Sequence, residues 1–137
     1  SRKDSTKVIQ IESAMGAALE VFEGSQALLV PRTRFRPVKT TNELLLLRSD
    51  LFGLDAAYDI VSTGSGPDPL VDLDAHYTLI EDFDARFAHG APSLAEATSL
   101  RVVGDVWFGA DVVCVGDVTV GPEVERVPDG TVLEGGP

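Results

Sequence analysis

Lys39 stands directly before Thr40, and Thr40 and Glu43 have the spacing of a capping box. That pattern starts a helix, and a helix N-terminus carries free N–H groups and a partial positive charge. A lysine ammonium beside it would make a compact anion site, well suited to phosphate. A lysine ahead of a helix is also commonly an ordinary exposed residue, and the residues alone leave both readings open. Other candidates are weaker. His76 and His89 have no metal-ligand spacing with each other or with Cys114. Gly64-Ser65-Gly66 is followed by Pro67 and by no helix, so it reads as a linker and not as a phosphate loop.

The elements that must position Lys39 follow from periodicity. Ile11, Met15, Ala18 and Phe22 recur at helical spacing within residues 7–23, and Gly24 is a plausible stop. Residues 27–30 and 34–38 read as short strands or extended segments, restricted by Pro31 and Pro37 to edges or turns. The second helix is expected over 40–52, where four consecutive leucines imply burial on most sides. Residues 62–69 are a linker by composition, with a short strand over 70–73 and a helix over 79–87 after it. Ile80, Phe83 and Phe87 would share one side of that helix.

From residue 100 the chain repeats every six. Leu100, Val106, Val112, Val118 and Val124 share one phase, preceded by Asp or Glu at 105, 111, 117 and 123 and by small or turn-forming residues at 104, 110, 116 and 122. One short strand and one tight turn per six residues is the pattern of a left-handed β-helix, with the aliphatic pointing inward. A strand-rich sandwich with accidental spacing is the competing reading. Cys114 shares its phase with Val102, Phe108 and Val120, which makes it a core residue before a nucleophile. About two coils cannot bury their own ends, so they must lean on the preceding lobe or on another subunit, as in a homo-oligomer joined through the β-helix.

The bulk numbers exclude several partners. The net charge is -11, with 22 acidic residues against 11 basic ones, so a basic groove for nucleic acid is not expected. No apolar run reaches the ~20 residues of a membrane span, and no signal peptide opens the chain. One cysteine permits no internal disulfide and suits a reducing, cytoplasmic location. The polar start without Met fits a chain that begins partway through a larger protein.

The stretch from Val30 through Pro37-Val38-Lys39-Thr40-Thr41 to Leu51 resembles the signature near the end of the catalytic domain in eukaryotic-type UDP-glucose pyrophosphorylases. Residues 9–18 are similar to a segment upstream of it, and residues 100–109 resemble the opening of that family's β-helical tail. The resemblance implies an α/β segment ending a nucleotidyltransferase catalytic domain (1–63), followed by a linker, a helix and a short left-handed parallel β-helix (64–137). It implies UTP and glucose 1-phosphate as substrates of the full-length enzyme, with Mg²⁺ brought by the nucleotide and not by residues identifiable here. Carried over by position, Lys39 corresponds to the family's active-site lysine and Phe35 to a position lining the sugar pocket, although a strand phenylalanine is core by default. Arg32 and Arg34 have an equally good surface reading. Arg36 stands where an apolar residue is usual, and residues 54–69 match poorly. The chain on its own is expected to lack turnover. A β-helical oligomerisation or scaffold module without chemistry is the alternative reading. A hexapeptide acyltransferase is disfavoured, because no histidine lies at or after residue 100.

Overall fold

A computed structural model describes residues 9, 15–31, 35–64 and 66–136. The chain divides into two compact units, Ser1–Arg32 and Thr33–Pro137.

In the first unit the described part of the expected helix is a 3-10 helix, Met15–Glu20. The remaining positions of that helix at 7–14 lie outside the described residues, apart from Ile9. The chain turns at Phe22, whose carbonyl accepts from the Ser25 N–H (3.3 Å) and hydroxyl (2.8 Å). Phe22 is exposed, so the four-position stripe does not hold to its end. Residues 27–30 pair with no strand among the described residues, and Leu28 and Leu29 are almost wholly exposed.

The second unit begins its regular structure with α1 (Thr41–Arg48). The expected helix over 40–52 stops four residues early. The Ser49 hydroxyl bonds back to the Leu46 carbonyl at 2.7 Å, a local bond that competes with helix continuation. Asp50 then turns outward to accept from the Ser93 hydroxyl and from the Leu94 N–H at 2.9 Å. Of the four leucines only Leu45 is fully buried, because one stripe of α1 meets the core and the other faces are partly open. Burying that side chain stabilises by about 1.5–3 kcal/mol. An antiparallel hairpin of β1 (Phe52–Leu54) and β2 (Ile60–Ser62) follows, its turn set by the Asp55 carboxylate accepting from the N–H groups of Ala57 and Asp59.

Next come β3 (Leu70–Leu73), α2 (Ile80–Arg86), β4 (Ser93–Val102), β5 (Trp107–Phe108), β6 (Val113–Val120), β7 (Arg126–Val127) and β8 (Val132–Glu134). They form a four-stranded sheet, β3-β4-β6-β8, and a two-stranded sheet, β5-β7, both wholly parallel. Parallel pairing excludes the antiparallel sandwich. The fold class is thus mixed α/β with parallel sheets. In the β4–β6 ladder partners lie 20 residues apart at Ser93, 19 at Glu96 and Ala97 and 18 from Ser99 to Val102, and they lie 19 apart in the β5–β7 and β6–β8 ladders (Trp107 with Arg126, Val113 with Val132). Leu100, Val106, Val112 and Val118 are all buried, and Val124 is partly buried against the same core. Two positions further on, Val102, Phe108, Cys114 and Val120 are buried as well. Gly104 turns a corner with φ of 91°, and a side chain there would meet the Pro122 backbone at 3.1 Å.

An aromatic cluster extends this core. Phe87 stacks on Phe108 with ring centres 4.9 Å apart and also meets Phe83 and Tyr77. Ile80, expected on the same side as Phe83 and Phe87, is exposed: it opens the first turn of α2, before the helix reaches the core. Residues on both sides of Gly64 contribute to one core, which includes Leu45, Leu51, Val71 and Leu100. Among the described residues no helix is long and apolar enough to cross a membrane.

Candidate functional site

Residues 35–39 form an irregular, exposed strap leading into α1. Its far end is fixed as the spacing required. Thr40 adopts an extended conformation (φ -133°, ψ 171°), and its hydroxyl oxygen accepts from the Asn42 N–H at 3.2 Å. The Glu43 carboxylate accepts from the Thr40 N–H (2.7 Å) and from its hydroxyl (2.6 Å). The Thr40 hydroxyl, followed by the Thr40 N–H, holds the Glu43 carboxyl below its ordinary range. The Asn42 side-chain oxygen accepts from the Leu73 N–H at 3.1 Å, which ties the first turn of α1 to β3. The near end of the strap is fixed by Arg36. Its guanidinium lies 3.7 Å from the centre of the Phe52 ring and pairs with the Asp68 carboxylate.

This arrangement changes how an anion would be held. The capping box occupies donors that a bare helix start would offer, and Glu43 adds a negative charge there. The attraction then rests chiefly on the Lys39 ammonium, a compact charge with three donors on a flexible stem. Lys39 is exposed and has no ion-pair partner among the described residues. Phe35 lies on the same strap and is 56% exposed, so it is not a core residue of this unit. Arg32 and Arg34 lie outside the described residues.

Two cavities of the second unit lie elsewhere. One, of about 230 Å³, is lined by Arg48, Phe83, Phe87, Gly90 and Ala91. The other, of about 380 Å³, runs between residues 62–69 and β4, and Asp68 lies on its wall. Neither is lined by Lys39 or Phe35. Cys114 is fully buried, and burial first, then the charge of Asp50, pushes its thiol up to about 11. His76 bonds through Nδ1 to Asp74 at 2.6 Å. The Gly104 N–H, followed by His76, holds the Asp74 carboxyl at about 2. Among the described residues no three His, Cys, Asp or Glu side chains converge on a metal position.

Sequence reasoning missed the role of Arg36 and the bonds of Asp50. Arg36 was visible only as a charge in an apolar position. Its partner Asp68 is 32 residues away in a segment without pattern.

The family described as UTP–glucose-1-phosphate uridylyltransferase matches residues 1–114. Among curated proteins of that name, the one from Hordeum vulgare is 43% identical over 136 residues, covering 96% of this chain and 28% of the relative. The one from Saccharomyces cerevisiae is 39% identical over 132 residues, covering 93% and 26% respectively. Among solved structures, the L281D mutant of UDP-glucose pyrophosphorylase from Leishmania major in complex with UDP-Glc is 41% identical with a TM-score of 0.71. It is matched over 99% of this chain and 30% of that one. UDP-glucose phosphorylase from Trypanosoma brucei is 42% identical with a TM-score of 0.68, over 96% and 30%. The chain thus spans between a quarter and a third of the length of these relatives.

Proposed function

Because this chain belongs to the UTP–glucose-1-phosphate uridylyltransferase family, we propose that it is the C-terminal part of an enzyme that makes UDP-glucose and pyrophosphate from UTP and glucose 1-phosphate. The carrying observation is the exposed Lys39 ammonium, unpaired among the described residues, beside a capped helix inside the matched span. In this reading the sugar-phosphate oxygen attacks the α-phosphorus of UTP in line, and pyrophosphate leaves. Little covalent chemistry falls to the protein, and positioning with charge neutralisation carries the rate.

Lys39 is the catalytic residue of this segment. It contacts the reacting phosphate and offsets the charge that grows on it in the transition state. Phe35 lines the sugar pocket, where its exposed ring would offer an apolar face to the hexose. Mg²⁺ would supply further charge neutralisation when bound with the nucleotide. The described residues offer no cluster to hold it, so none is assigned to it and no step here depends on it.

Residues 1–63 belong to the catalytic domain, and residues 64–137 carry a linker, a helix and a left-handed parallel β-helix. The two buried phases of the six-residue repeat and the 18–20-residue spacing of parallel partners support the coil. The coil provides a surface through which a homo-oligomer can form, and the enzyme acts in the cytoplasm. A scaffold without chemistry accounts for the coil but not for the matched span through Lys39.

In the complete enzyme carrying this segment, Lys39→Ala is expected to lower kcat by about 10²–10³, with assembly state unchanged by size-exclusion chromatography. A variant that keeps wild-type turnover would refute the role of Lys39.

A further inference from the structure

Arg36 carries an inference that rests on the reading of Lys39 given above. Its guanidinium is clamped between the Phe52 ring, at 3.7 Å, and the carboxylate of Asp68. Both partners sit on a constrained stretch of backbone. Phe52 opens β1 and is held in register by Ser62 of β2. Asp68 sits between Pro67 and Pro69, whose rings fix the backbone on both sides, and Pro69 is buried. Three residues after Arg36 comes Lys39, and one later the chain is fixed again by the reciprocal bonds of Thr40 and Glu43. Only Pro37, Val38 and Lys39 lie between the two tethers, and Pro37 has one backbone torsion locked. The backbone that carries Lys39 is thus a strap with both ends fixed and few free torsions, and it sets where the lysine's stem begins.

We infer that Arg36 is a positioning residue, which sets the place of the Lys39 ammonium through the clamp formed with Phe52 and Asp68. The Arg36 and Asp68 side chains are 36% and 42% exposed, where an ion pair contributes little to stability. The clamp therefore acts on turnover more than on folding, since a displacement of about 1 Å at a reacting group costs up to ~10²-fold.

The test uses the complete enzyme with Arg36→Gln, Arg36→Lys and Asp68→Asn, each made alone and in a Lys39→Ala background. Arg36→Gln is expected to lower kcat about 10-fold, with KM for UTP changed less than about 3-fold. The thermal midpoint should stay within about 2 °C of the parent. Arg36→Lys keeps the charge but loses the flat stack on Phe52, and should recover part of the loss. Asp68→Asn, on an exposed partner, should reproduce a smaller kcat loss and gives the answer if Arg36→Gln does not fold. In the Lys39→Ala background neither Arg36→Gln nor Asp68→Asn should lower kcat further. Unchanged kcat in both variants overturns the inference, as does an equal loss with and without Lys39. If Lys39→Ala itself keeps full turnover, the functional reading fails first, and that result is separate from a null effect of Arg36.

Discussion

Replacing Tyr77 by Phe removes one oxygen from the centre of the second unit, and the cost follows from where that oxygen sits. Tyr77 is fully buried, and its hydroxyl donates to the Val106 carbonyl at 2.5 Å. Val106 is itself fully buried, so its carbonyl would lose this partner deep in the fold. Stranding a buried acceptor costs about 1–3 kcal/mol. The ring of Phe would keep the contact with Phe87, whose ring centre is 5.5 Å away, so little cavity cost is added. A loss of about 1.5 kcal/mol is expected, or roughly 5 °C in the thermal midpoint for a domain of this size. The pH dependence gives a second signature. Burial first of all pushes the Tyr77 phenol well above its ordinary 10.0. A group whose value rises on folding stabilises below its unfolded value, and that contribution is lost as pH climbs from there through the folded value. The parent should therefore lose stability above about pH 10 through Tyr77, and the Phe variant should lack that component. Guanidinium denaturation at pH 7 and in a series above pH 10, followed by the fluorescence of Trp107, measures both. Equal denaturation midpoints for parent and variant, with parallel alkaline slopes, would refute the buried bond.

Gly109→Ala should destabilise by about 1–3 kcal/mol, because the added carbon would meet the Asp129 nitrogen at 2.6 Å and the Pro128 carbonyl carbon at 2.8 Å. Gly53→Ala, where the nearest atom is the Thr63 methyl at 3.7 Å, should be nearly neutral; thermal denaturation of the pair checks the contrast. Cys114, buried and with its thiol pushed up to about 11, should resist iodoacetamide at pH 8 in the folded protein and react once denaturant is added. Mass spectrometry that finds native-state alkylation would contradict the packing.

What could be read from the chain was what repeats or what acts locally. The inward phase through Leu100, Val106, Val112 and Val118 was legible because each repeat buries the same position. The cap at Thr40 was legible because its partner is three residues away. The end of α1 was not, since beside the local Ser49 bond it involves Asp50 reaching Leu94, 44 positions on. The β1–β2 hairpin is short, and its signal lies in the side-chain bonds of Asp55 and not in any hydrophobic pattern. Ile80 failed because helical spacing gives a direction but not the point at which the helix meets its neighbour. For the candidate site, sequence marked Lys39 and its helix, but the clamp on Arg36 depends on Phe52 and Asp68, distant partners that no local pattern specifies.

The parallel register between β4 and β6, 18 residues from Ser99 to Val102 and 19 to 20 residues before it, makes this part of the protein tolerant of some changes in length and intolerant of others. Losing a single amino acid between Leu100 and Val118 would move the inward aliphatics after it to a neighbouring position wherever no irregularity, such as those in β4 between Ser93 and Ser99, absorbs the shift. In the coil proposed above, duplicating a whole turn of 18–19 residues would leave each side chain facing as before and merely lengthen the stack. For a tail built as that proposed coil, growth by complete turns is therefore the route to a change in size that keeps the interior intact.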